Sequence, residues 1–254
     1  MKTTKSLIIT ILVTLLVLVV LRGGLWDVFT ISADSYPSKL LPGDRLLVSR
    51  YSYGLRIPFT SNYDNWPRIG YRNAQRGDWM VFNSPADTSV VISRRPTLIQ
   101  QCTAVPGDTV WFTWNYRLVS HSYPSSKLYP FVVPGKDVLV DVRPWNARLL
   151  YLTLHLYEKR NASLKGDSAL YINGKRARRI SFKQDYYWVS SGNEANRYDS
   201  RYFGFVPHSH LLGRIECVLF SKKPGTPLFE GFRERRTFYS LSRSPRTLYL
   251  VNEK

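Results

Sequence analysis

Few residues in this chain could do chemistry, and their types limit what that chemistry could be. The stretch Leu98–Phe112, LIQQCTAVPGDTVWF, carries adjacent glutamines, Gln100 and Gln101, in a segment that reads as a strand entering a Pro-Gly-Asp turn. A glutamine amide donates and accepts hydrogen bonds but supplies no acid, base or nucleophile near neutral pH. His208 and His210, in His-Ser-His, would share one face of a strand and could bind a metal together. No third ligand accompanies them, so a solvated loop is the expected setting, and no metal or cofactor is expected. There is no G-x-S-x-G, H-E-x-x-H or phosphate-binding glycine loop. Two cysteines, Cys102 and Cys217, exclude a disulfide framework and a zinc cluster. Sequence alone leaves open whether they are bonded or are simply buried thiols. Asn161-Ala162-Ser163 is a glycosylation sequon by pattern only.

Gly-Asp pairs punctuate the chain at Gly43-Asp44, Gly77-Asp78 and Gly107-Asp108, each just before an apolar run: RLLV, WMVF and TVWF. The expected structure is a turn in which glycine takes positive φ and the aspartate side chain accepts from a nearby backbone amide. Each pair alone is ordinary turn chemistry, but their order and spacing carry information.

The elements that must position these residues are mostly strands. Of 254 residues 44% are hydrophobic, enough for one sizeable core or two small ones, and the 7 Trp, 17 Tyr and 12 Phe favour β structure. Short apolar runs recur between turn signals: Arg45–Tyr51, Trp79–Phe82, Val90–Ser93, Leu98–Val105, Val110–Tyr116, Leu149–Tyr157, Ala169–Ile172 and Cys217–Phe220. Leu150–Tyr157, LYLTLHLY, alternates as a half-buried strand would. Ile172-Asn173-Gly174-Lys175 is a two-residue hairpin signal. The tract from Asp108 to Tyr187 is the most irregular, and a smaller lobe is expected there.

Leu7–Leu21, LIITILVTLLVLVVL, is uncharged, follows Lys2 and Lys5, and lacks a small-residue cleavage site. It reads as an uncleaved signal anchor, which puts the protein in the plasma (inner) membrane as a single-pass protein with its main domain outside the cytoplasm. The net charge of +18 then points to an anionic membrane surface and away from nucleic acid. The fold expected is mainly β: one membrane-spanning helix, then an extracytoplasmic all-β domain with a smaller inserted lobe. The expected divisions are 1–29 for stub and anchor, 30–108 for the core, 109–187 for the inserted lobe and 188–254 for the return to the core and the tail.

Four fragments, in order, resemble the type I signal peptidase family. SYPSKLLPGDRLLVSRYSYGLRIPF at Ser35–Phe59 is similar to its nucleophile box, and RGDWMVFNSP at Arg76–Pro85 to its next Gly-Asp box. QQCTAVPGD at Gln100–Asp108 resembles K-R-x-x-[GA]-x-P-G-D. FKQDYYWVSSGNEANRYDSRYFGFVP at Phe182–Pro207 resembles the long late box, with DSRYFGFVP the most specific part. Gly231-Phe232-Arg233 also resembles the family's tail. The resemblance implies a membrane-anchored serine endopeptidase that cuts signal peptides from exported preproteins, with a serine nucleophile and a lysine base. A buried lysine can serve as base because burial lowers its pKa.

Carried over by register, the nucleophile position is Ser35, and the hydroxyl two residues before it, which helps hold the oxyanion in some members, is Ala33. The general-base lysine falls at Gln100 and the arginine after it at Gln101. In the late box the family's Gly-Asp becomes Ser191-Gly192, its Arg becomes Glu194 and its Ser becomes Arg197. Asn193, Asn196, Asp199, Ser200 and Arg201 match, and Asp199 with Arg201 is implied to support the scaffold around the dyad. These substitutions imply a catalytically impaired member that still binds exported preproteins or extended signal-peptide segments. Two alternatives stand beside it. One is an active peptidase with a relocated base, for which Lys39 and Lys183 are the candidates. The other is a non-catalytic basic envelope protein that binds anionic lipid or polymer through Arg94-Arg95, Arg176–Arg179 and Arg233–Arg236.

Overall fold

The structure, a computed structural model, describes residues 2–20, 25–31, 39–56, 68–86, 88–112, 129–166, 168–192 and 198–241. Its elements, in chain order, begin with helix α1 (Lys2–Val20) and strands β1 (Trp26–Thr30), β2 (Asp44–Ser49), β3 (Trp79–Asn83), β4 (Thr97–Ala104), β5 (Thr109–Phe112), β6 (Tyr129–Val132) and β7 (Val140–Asp141). Helix α2 (Ala147–Glu158) is followed by β8 (Ala162–Lys165), β9 (Ala169–Ile172), β10 (Lys175–Arg176), β11 (Arg179–Ile180), β12 (Tyr186–Ser190), α3 (Ser200–Phe203), β13 (Val206–Pro207) and β14 (Leu211–Ser221). The described chain is mainly β, as its composition suggests.

A seven-stranded sheet, in the order β1-β2-β14-β3-β4-β12-β13, draws on both halves of the chain. Its interior strands are covered on both faces. Trp79 and Val81 of β3 join a cluster with Leu46, Val48 and Val218, while Met80 and Phe82 join another with Cys102, Tyr187 and Leu211. The alternation follows from the two-residue period of a strand. Residues 109–180 contribute the small sheets β5-β6, β7-β11 and β8-β9-β10. A third cluster, with Phe112, Phe131, Leu150, Leu154 and Trp188, packs α2 against these strands and β12.

The Gly-Asp turns take one geometry three times. Gly43, Gly77 and Gly107 have φ of 90°, 86° and 88°. The amide of each aspartate donates to the carbonyl three residues back: Asp44 to Leu41 (3.0 Å), Asp78 to Gln75 (3.1 Å) and Asp108 to Val105 (3.0 Å). The carboxylate Oδ2 then accepts from the amide of that same residue, at 2.8, 3.0 and 2.8 Å. The Asn-Gly hairpin also forms, with φ of 50° at Asn173 and 77° at Gly174 and Lys175 paired with Ile172.

Some expectations give way. Leu150–Tyr157 is not a strand but lies within α2. The alternation of LYLTLHLY conceals a helical spacing, since Ala147, Leu150, Thr153, Leu154 and Glu158 are the buried positions. Leucine is also a strong helix former, so the tract folds as the helix that lets those five residues share one buried face. Asn146 braces its start, accepting from the Arg143 amide at 2.8 Å and donating to the Asp141 carbonyl at 2.9 Å. Val90–Ser93 likewise yields a short 3-10 turn at Ile92–Arg94 in place of a strand. The part after α1 is therefore mainly β with short helices, where an all-β domain was expected. Both cysteines are free, Cys102 in the interior and Cys217 half-buried.

The expected anchor is found as a helix, but α1 has 19 residues, about 28 Å at 1.5 Å per residue, against a hydrocarbon core of about 30 Å. Among the described residues no helix is long and apolar enough to cross a membrane.

Candidate active site

Strand β4 lies between β3 and β12, so its backbone is paired on both sides, and its residues from Gln100 onward are buried. Gln100 pairs with Met80 across the β3 ladder and is 2% exposed. Its Nε2 donates to the backbone carbonyl of Tyr198 at 3.1 Å. Its Oε1 is buried with no partner among the described residues, a condition that costs about 1–3 kcal/mol. Gln101 faces the other way and donates to the Gly77 carbonyl at 3.1 Å, tying β4 to the second Gly-Asp turn. The β4–β12 register shifts between Trp188 and Val189, and Thr103 donates to the Trp188 carbonyl at 3.0 Å within that irregularity.

Tyr198 leads directly into the Asp199-Ser200-Arg201 segment. Asp199 is fully buried and caps α3, with Oδ1 accepting from the Arg201 amide at 3.1 Å. Its carboxylate holds the Arg201 guanidinium through Nε at 2.9 Å and Nη2 at 2.8 Å. The amide and hydroxyl of Ser191, the residue in the family's glycine position, reach Oδ2 at 3.4 Å. Ser200 Oγ accepts from the Val189 amide at 2.9 Å, fastening α3 to β12. The fold thus brings Gln100, Asp199 and Arg201 into one hydrogen-bonded neighbourhood. Ser35, Ala33 and Asn193 lie outside the described residues.

A second polar cluster lies on the β12–β13 side, and sequence reasoning placed it wrongly. His208 and His210 are not in a solvated loop: each is 2% exposed, in a 3-10 turn between β13 and β14. His208 Nδ1 meets the Tyr187 hydroxyl at 3.0 Å and Nε2 meets the Tyr53 carbonyl oxygen at 3.2 Å. The imidazole also stacks on Tyr71 with ring centroids 4.1 Å apart. Burial, helped by the Arg68 guanidinium, pushes its pKa down to about 3. His210, beside Arg95, is pushed down to about 3 for the same reasons. Among the described residues no three metal-ligating side chains come together. The missed signal lies at a distance in the chain: Arg68 donates to the His208 carbonyl at 3.0 Å and the Leu211 carbonyl at 2.5 Å, clamping the turn from a remote loop. Desolvation lowers the Arg68 pKa to about 10.

Residues 4–220 match the model of the family described as signal peptidase, peptidase S26, and the chain belongs to that family. It is similar to signal peptidase I of Pseudomonas aeruginosa, 26% identical over 219 residues that cover 82% of this chain and 69% of the relative. Signal peptidase I of Aquifex aeolicus is 25% identical over 240 residues, covering 86% and 85%. Signal peptidase I of Buchnera aphidicola subsp. Baizongia pistaciae is 24% identical over 243 residues, covering 80% and 73%.

Proposed function

We propose that this protein engages exported preproteins at the membrane surface but is impaired in cleaving them, because Gln100 stands where the family resemblance puts the general base. Membership of the signal peptidase family places it in preprotein processing. In that setting Ser35 would be the nucleophile, and its hydroxyl needs a base to take its proton. The Gln100 amide can accept a hydrogen bond from a hydroxyl but cannot hold the proton. Losing the base of a serine hydrolase costs on the order of 10⁴–10⁶ in kcat.

The observation that carries this reading is that none of the lysines whose side chains are described is buried. Lys39 and Lys183, the candidates for a relocated base, are both exposed. Neither has the burial that a lysine general base requires. Asp199 and Arg201 would keep their scaffolding role beside the altered position, and the sheet order offers β1 as an edge for an extended peptide strand.

Membrane attachment is part of the proposal. The described side chains of α1 are exposed, with Leu7 at 63%, Ile9 at 60% and Leu12 at 60%, and apolar residues occupy its whole circumference. Such a surface favours lipid over water. α1 would anchor the chain in the plasma membrane together with the residues that follow it, leaving the β domain outside the cytoplasm. Leu228 and Phe229 (73% and 87% exposed), close in sequence to Lys222, Lys223 and Arg233, would face an anionic bilayer.

The test is turnover of a labelled signal-peptide substrate by the full chain in nanodiscs. Near-background cleavage that rises in Gln100→Lys is expected. Wild-type cleavage that Ser35→Ala abolishes would overturn the proposal.

A further inference from the structure

A cleft of about 160 Å³ opens between α2 and the α3 segment, lined by residues that follow Tyr198, Arg201 among them, and not by Gln100 itself. Leu149, Leu152 and Leu156 of α2 form one wall, and Phe203 and Phe205 belong to the other. Leu152 and Leu156 are 40% and 38% exposed, so the α2 wall still meets solvent. Trp188 also lines the cleft, and its buried Nε1–H has no acceptor among the described residues. Arg148 stands at the rim, exposed and in no ion pair among the described residues.

We propose that this cleft is a second peptide-binding site, which takes a polypeptide segment presenting one bulky apolar side chain flanked by acidic residues. Size selects the anchor. A cavity of about 150 Å³ lined by leucine and phenylalanine accommodates a benzene-sized group, so this cleft accepts one phenylalanine or leucine side chain and not a full acyl chain. Charge selects the flanks, because Arg148 offers an unpaired guanidinium on a chain of net charge +18. The bound anchor would lie against the Trp188 ring, which lines the cleft. Binding by a buried apolar anchor with a charged rim is a common economy of recognition sites. The site does not depend on whether the Gln100 position is catalytic, so its test stands apart from turnover.

The full chain in uncharged nanodiscs is titrated with a labelled synthetic peptide, a central phenylalanine between aspartates, and followed by anisotropy and by the nitrogen-labelled Trp188 indole resonance. Saturable binding that shifts this resonance is expected. Arg148→Glu, Leu152→Asp and replacement of the peptide's phenylalanine by alanine should each weaken it roughly tenfold or more. Both protein substitutions are at solvent-reached positions, and unchanged thermal melting verifies that the fold is kept. Binding indifferent to both substitutions, or without a Trp188 shift, overturns the proposal. So does a result in which short-chain phosphatidylglycerol moves the resonance and the peptide does not, which would make the cleft a lipid site.

Discussion

Asp199 and Gln100 are both buried polar residues, linked through the Tyr198 carbonyl, yet they are served very differently. Asp199 has both carboxylate oxygens engaged, by Arg201, by Ser191 and by the amide at the start of α3. Gln100 uses its Nε2 on Tyr198 and leaves Oε1 without a partner among the described residues. The first arrangement is what a structural polar group requires in a low-dielectric interior. The second leaves a buried acceptor unserved among the described residues, as Asn83 Oδ1 also is. Two of the three Gly-Asp turns side with Asp199: Asp44 is held by Arg236, with Nη2 to Oδ2 at 2.5 Å, and Asp108 pairs with Arg76, whereas Asp78 Oδ1 is buried without a partner among the described residues.

This contrast is open to measurement. Arg201→Ala would strand the fully buried Asp199 carboxylate, and breaking such a pair costs about 3–5 kcal/mol. Urea unfolding should show a loss of that size, and a loss under about 1 kcal/mol would mean Asp199 is not the fixed point that its contacts indicate. Acid gives the next effect. Unfolded histidines titrate near pH 6.5, whereas His208 and His210 are pushed down to about 3 in the folded protein, first by burial and then by Arg68 and Arg95. The unfolded state therefore binds more protons below pH 6.5. Their stabilisation is complete above that pH and is lost as pH falls from 6.5 toward 3, at up to about 1.4 kcal/mol per pH unit for each histidine. The melting temperature should begin to fall below pH 6.5, with about half the slope in His210→Phe. A flat profile down to pH 4 would show that the turn is open to water. Smallest is Gln100→Leu. Removing an amide whose acceptor is already unserved should change stability by less than about 1 kcal/mol. A loss of several kcal/mol would mean that Oε1 has a strong partner after all, and the distinction from Asp199 would disappear.

Local signals were legible where short-range chemistry decides. Three glycines before aspartates had to take positive φ, and the hairpin at Asn173-Gly174 formed for the same reason. The apolar runs at Trp79–Phe82, Leu98–Val105 and Ala169–Ile172 became β3, β4 and β9 with boundaries shifted by a residue or less. LYLTLHLY was not legible, because a leucine-rich tract satisfies a two-residue and a helical period at once, and only the neighbours to be packed against choose between them. Among site residues, the neighbourhood of Gln100 with Asp199 and Arg201 rests on contacts across 98 positions of chain, from Gln100 to Tyr198. Motif order pointed to it; no periodicity could.

By itself the sequence determined the turns, the strand-rich character, the apolar N-terminal run and the residue type at position 100, since each depends on backbone sterics or side-chain chemistry within a few residues. Only the tertiary structure decided that α2 is a helix, that His208 and His210 are buried and neutral, and that the Gln100 amide has one partner and one orphaned oxygen. Those outcomes depend on what distant segments bring: Arg68 onto the His208 turn, β3 and β12 onto β4, and Tyr198 onto Gln100. Burial and hydrogen-bond satisfaction are properties of an environment, and the environment exists only once the chain has folded.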